Sequence, residues 1–132
     1  MKALVIIPTY NEIENIERML RLVPDLYEGL EVLIIDDGSP DGTAAVVKQL
    51  QEQDKRIHLI ERKGKLGLGS AYVTGFKYAI KQGYDLILEM DADFSHNPHD
   101  IPRLIEAAQK YDLVIGSRYS NGVNIVNWPI KR

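Results

Sequence analysis

LILEMDADFSH (residues 86–96) passes from a mostly apolar stretch straight into two aspartates one residue apart. If 86–90 is a buried strand, Asp91 and Asp93 emerge at its carboxyl end, on the loop where open α/β sheets bind their ligands. Carboxylates in such a place are costly unless a cation compensates them. With the small Ala92 between them they suit a hard divalent ion that prefers oxygen ligands and commonly bridges to phosphate, Mg²⁺ or Mn²⁺. The first expectation is therefore a metal-diphosphate site. Two other readings compete: Asp-x-Asp can cap a turn or a following helix, and it also occurs where an aspartate is a phosphatase nucleophile. Phosphatases of that kind usually carry the motif on the first strand, whereas at least three strand candidates come earlier here.

Outward from this motif, short apolar runs at 3–7, 32–35, 57–60 (interrupted by His58), 86–88 and 113–115 alternate with helical patterns at about 12–22, 41–51, 67–82 and 101–110. Continuous apolar runs are the mark of strands buried on both faces, and strict β-α alternation predicts a doubly wound parallel sheet. Asn11 with Glu14 three residues on makes a capping-box pattern, Ser39 before Pro40 offers an N-cap followed by proline, and Asp100 before Ile101-Pro102 is a similar helix start. Each start lies just after a strand, so capping and ligand roles can fall on one residue. The segment 119–132, YSNGVNIVNWPIKR, belongs to no strand-helix unit that the pattern closes.

A chain of 132 residues fits one domain and buries enough surface for a core without covalent staples. It has no cysteine, which is compatible with a reducing cytoplasm. The 16 basic and 19 acidic residues leave a net charge of −3 with no long basic run, so general nucleic-acid binding has no electrostatic footprint. Residues 3–8 are too short an apolar run for a signal peptide, and none approaches the ~20 residues that span a bilayer. The expected location is the cytoplasm or the cytoplasmic face of a membrane.

IPTYNE (7–12), DDGSPDGT (36–43), GKLGLGSAY (64–72), MDADFSHNP (90–98) and GSRY (116–119) follow the strand candidates in succession or open a helix. With these motifs the chain resembles the inverting GT-A glycosyltransferases of family 2, and within them the dolichyl-phosphate (polyprenyl-phosphate) mannose synthases. The resemblance implies a Rossmann-like GT-A nucleotide-binding fold, a mainly parallel sheet with helices on both faces. It also implies a nucleotide-sugar-binding core at 1–118, the start of an acceptor-side loop at 119–132, and a C-terminal portion beyond this chain.

Residue by residue, the resemblance implies that Pro8, Tyr10 and Glu12 line a nucleoside pocket, with Asp37 reaching base or ribose and Ile35 supporting it. Tyr10 has a stacking face, and Glu12 and Asp37 are acceptors for base or ribose donors. Glu12 and Asp36 are equally suited to a helix-start charge or a turn acceptor. Gly64, Gly67 and Gly69 match neither a Walker loop nor a dinucleotide fingerprint; by resemblance their loop and Lys65 border the donor site. Asp93 is implied as the metal ligand, with Ser95 as a weaker one, while Asp91 and Ala92 meet the nucleotide-sugar. His96 and His99 beside Asn97-Pro98 read as loop and cap residues rather than zinc ligands. Arg118 matches the arginine of the GSR motif and can fork onto phosphate.

The implied reaction is transfer of mannose from GDP-mannose to a polyprenyl (dolichyl) phosphate, with Asp91, Asp93 and Arg118 as the catalytic set. A phosphate monoester, with its second pKa near ~6, is mostly ionised at neutral pH, so no general base is expected. The alternatives are a UDP-sugar-dependent hexosyl transfer to the same class of lipid and a catalytically silent nucleotide-binding module. Trp128, Lys131 and Arg132 are expected to meet lipid phosphate at a membrane surface.

Overall fold

The apolar runs become strands because alternate side chains enter two separate cores. In β1 (Ala3–Thr9), Ala3, Val5 and Ile7 point to one side and Leu4 and Ile6 to the other. The same division holds in β2 (Leu30–Asp36) and β4 (Leu86–Glu89), whereas β3 (Ile57–Glu61) is only partly buried at the sheet's margin. The structure, a computed structural model, describes residues 2–64, 66–108 and the backbone of 124–126.

The sheet order is β3-β2-β1-β4-β5, and the first four strands are parallel. Helices α1 (Ile13–Leu22), α2 (Thr43–Gln53) and α4 (Ile101–Ala108) cover one face through residues such as Ile16, Val47 and Ile105, and α3 (Leu68–Gln82) covers the other. The chain winds outward from β1 to β3, then returns through α3 to place β4 on the opposite side of β1. That reversal opens a crevice at the carboxyl ends of β1 and β4, the switch point where such sheets take ligands.

The alternation and the helices on both faces are as expected, with ends shifted by one or two residues. Two features differ. Residues 119–132, expected to join no unit, contribute β5 (Asn124–Val126), antiparallel to β4 with Ile87 opposite Val126. Three residues are too few to show a period, and antiparallel pairing needs no crossover helix to announce it. A 3₁₀ turn at Val23–Leu26 follows α1, with Pro24 in its first turn, where a missing N–H costs no helix bond. The strand expected at 113–115 lies outside the described residues, as do Lys65, Arg118, Trp128, Lys131 and Arg132.

Helix α3 approaches the sheet closely because its inner face is Ala71, Gly75 and Ala79. A Cβ on Gly75 would stand 2.7 Å from Ile6 Cδ1 and 2.8 Å from its Cγ2, both on a fully buried side chain. Gly75→Ala gains ~1 kcal/mol of helix propensity but meets an overpacking cost of ~1–3 kcal/mol. Net destabilisation is expected in denaturant unfolding, larger for Gly75→Val, and partly relieved when Ile6→Val is combined with Gly75→Ala.

Candidate functional site

The crevice begins where β1 and β2 end in register, Thr9 opposite Asp36. Asp36 is 1% exposed, and a buried carboxylate must be hydrogen-bonded. Its Oδ1 accepts from the hydroxyls of Thr9 and Ser39, each at 2.7 Å, and its Oδ2 from the Ser39 amide at 2.9 Å. Asp36 therefore fulfils the turn-acceptor role, with both carboxylate oxygens engaged by Thr9 and Ser39.

Ser39 in turn accepts from the Asn11 amide at 2.8 Å, Thr43 Oγ1 from the Glu12 amide at 3.1 Å, and Asp41 Oδ2 from the Ile13 amide at 3.1 Å. The start of α1 is thus capped across space by the loop after β2. This corrects the capping box expected of Asn11 and Glu14: Asn11 takes φ +58°, and the N-cap residue Glu12 makes no side-chain cap bond. Ser39-Pro40 does not start α2 either. That helix begins at Thr43 after Gly42, whose φ of +93° suits glycine, and Asp41 receives the Thr43 amide at 3.0 Å. Ahead of α4 the cap is Asn97, which accepts from the His99 amide at 3.0 Å, while Asp100 faces Arg103 at 3.2 Å.

Asp37, 7% exposed, follows directly. The guanidinium of Arg62, at the end of β3, forks onto it, Nε to Oδ1 at 2.7 Å and Nη2 to Oδ2 at 2.9 Å. Arg62 is the main residue that the sequence reading missed. The available signal was its position just after a strand, the same place from which every other motif was read.

On the other side of the switch point, Asp93 is exposed and its Oδ1 accepts from the Ser95 amide at 2.9 Å. The hydroxyl and amide of Ser95 hold the Asp93 carboxyl below its ordinary value, so it is ionised. Phe94, at φ +63°, lies under the Arg18 guanidinium of α1, 4.1 Å from the ring centroid, a cation-π contact that braces the loop. His96 Nδ1 accepts from the Asp91 amide at 3.2 Å. Tyr72, on α3, has its hydroxyl pKa pushed up by burial and then by the charges of Asp91 and Glu89.

Glu12 joins these acids electrostatically. Burial raises its pKa first, the Asn15 bond opposes this, and the charges of Asp93, Asp41 and Asp91 raise it further. Carboxylates from three loops therefore crowd one crevice, an arrangement that a divalent cation would relieve. Among the described residues no three of His, Cys, Asp and Glu form a closed ligand set. Of the other expected residues, Tyr10 is exposed at the rim and Pro8 half-buried, whereas Ile35 and Ala92 are buried. Ile35 supports the site only from within the core.

A family model described as glycosyl transferase family 2 matches residues 4–132. The chain is 47% identical over 132 residues to the undecaprenyl-phosphate mannosyltransferase of Micrococcus luteus, covering 100% of this chain and 54% of that protein. It is 45% identical over 133 residues to the polyprenol monophosphomannose synthase of Mycolicibacterium smegmatis, covering 99% of this chain and 50% of that one. The chain spans about half the length of these curated relatives. Among solved structures, a mannosyltransferase from Pyrobaculum calidifontis in complex with GDP-Man and Mn²⁺ superposes with a TM-score of 0.72 at 25% identity, over 85% of this chain and 33% of that one.

The raised pKa of Glu12 has a signed consequence. A carboxyl raised in the folded state from 4.5 destabilises the fold above the raised value, and that penalty fades as pH falls, vanishing below 4.5. Glu12→Gln should therefore raise the thermal midpoint at pH 7, and the gain should disappear in acid. Equal midpoints at pH 7 would show that Glu12 feels no such crowding.

Proposed function

The chain belongs to glycosyl transferase family 2 and has the GT-A fold, and from that premise we propose that it is the donor-binding part of an inverting enzyme that moves mannose from GDP-mannose to a polyprenyl (dolichyl) phosphate. The observation that carries this reading is the acidic crevice at the β1/β4 switch point, where Asp91 and Asp93 leave one strand while Glu12 leaves the other. The names of the relatives support the lipid-phosphate acceptor. The GDP-Man and Mn²⁺ of the Pyrobaculum mannosyltransferase support the donor and the ion.

In this reading Asp93 is the principal protein ligand of Mg²⁺ or Mn²⁺. Ser95 orients it and, since a hydroxyl that donates keeps its lone pairs, serves as a second, weak ligand. The bound ion neutralises charge developing on the leaving diphosphate. Asp91 and the Ala92 backbone place the sugar nucleotide, Tyr10 and Pro8 border the nucleoside, and Lys65 and Arg118 address phosphate oxygens. The acceptor phosphate is already ionised and needs no proton removed, so none of the crevice carboxylates is assigned as a base. No helix among the described residues is long and apolar enough to cross a membrane. The lipid-phosphate acceptor named for the relatives supports a reaction at the cytoplasmic face of a membrane.

Calorimetry and displacement test this reading. Asp93→Asn should weaken Mn²⁺ binding in the presence of GDP by about tenfold or more, ~1.4 kcal/mol, and abolish transfer from labelled GDP-mannose to a polyprenyl phosphate with the fold intact. Asp91→Asn should lower turnover with a smaller effect on the ion. Stronger displacement of labelled nucleotide by UDP than by GDP would identify a UDP-sugar donor instead. Displacement by neither would mark a module without donor binding.

A further inference from the structure

Resting on the nucleotide-sugar reading of the crevice, we infer that Arg62 is a positioning residue that aligns Asp37 toward the nucleoside and ties it to the glycine-rich loop before α3. The backbone of Arg62 is anchored, because its amide donates to the Asp36 carbonyl at 2.8 Å and extends the β2-β3 ladder past the strand end. From there the buried side chain reaches the carboxylate of Asp37 with the two-pronged contact described above.

Two further donors of the guanidinium go to the entry of α3. Nη1 reaches Ser70 Oγ at 2.7 Å and Nη2 the Gly67 carbonyl at 3.2 Å, while the Leu66 amide donates back to Asp37 Oδ2 at 3.3 Å. One planar group thus joins the ends of β2 and β3 to the entry of α3. The two loops are also close in space: a Cβ on Gly38 would stand 3.2 Å from the Gly64 amide nitrogen.

Stability alone does not account for a charged pair at this place, since well-packed apolar residues serve a buried position as well or better. What the pair supplies is direction. Among the described residues Oδ1 of Asp37 accepts only from Arg62 Nε, so the carboxylate is held in one orientation and retains acceptor capacity for a base or ribose donor. A lysine would keep the charge but lose the fork and the reach to Ser70 and Gly67.

The experiment is GDP binding to the full chain, by calorimetry, for wild type, Arg62→Lys, Arg62→Ala, Asp37→Ala and the Arg62→Ala/Asp37→Ala double variant. Arg62→Ala should weaken GDP about thirtyfold or more, as expected when one partner of a buried pair is removed, and added guanidinium ion should restore binding. Arg62→Lys should fold yet bind GDP poorly. The double variant should bind no worse than Asp37→Ala, because the two act as a unit, and guanidinium should not rescue it. In the transferring enzyme the change should fall on KM for the donor more than on kcat. Wild-type affinity in Arg62→Lys, or additive losses in the double variant, would overturn the inference. Should Arg62→Ala not fold, Arg62→Lys still decides. Failure of the wild type to bind GDP or UDP would instead strike the nucleotide-sugar reading on which this rests.

Discussion

The hydrogen bond from the Thr9 hydroxyl to the buried Asp36 carboxylate, 2.7 Å long, is the contact on which the rest of the crevice depends. It joins the ends of β1 and β2 at their last paired residues. Among the described residues no ion pair is made to this interior carboxylate, and it is held by hydrogen-bond donors, which to a charged group are worth ~1.5–3 kcal/mol each. Ser39 supplies two of them and then accepts from Asn11. The fold of the β2 loop, the capping of α1 and the exit direction of residues 10–12 therefore depend on a single buried charge.

From that pivot the crevice divides into two electrostatic halves. On the β1/β4 side, Glu12, Asp91 and Asp93 form no ion pair with a lysine or arginine among the described residues, His96 Nε2 standing 3.6 Å from Asp91, and the Glu12 pKa is raised by burial first and by the neighbouring carboxylates next. On the β2/β3 side the negative charge of Asp37 is matched by Arg62. In the proposed reading a divalent ion offsets the acidic half and bridges it to the diphosphate, while the uncharged base and ribose occupy the matched half. The two halves meet because the winding direction reverses at β1, which brings the loops after β1, β2 and β4 to one edge of the sheet.

Much of this was legible in the residues. The apolar runs declared strands buried on both faces, and the residue order alone sets Asp91 and Asp93 at a strand's carboxyl end. The capping assignments were less successful, for a common reason. Asn11, Glu14, Ser39 and Pro40 have the right types at the right spacing for local caps, but the amides of residues 11–13 are satisfied by Ser39, Asp41 and Thr43. A local pattern competes with any donor or acceptor that tertiary folding brings within reach, and spacing along the chain carries no information about those.

What the sequence by itself determined is the alternation of elements, the parallel winding that alternation demands, and the identity of the acidic motif, because each rests on periodicity or residue type within a few positions. Only the tertiary structure decided the partnerships: Asp36 as a buried pivot bonded to Thr9, Arg62 across Asp37, and β5 as an antiparallel neighbour of β4. Those depend on distances between residues 25 or more positions apart in the chain, where burial makes an unmatched polar group costly and so selects the partner that lies nearest in space.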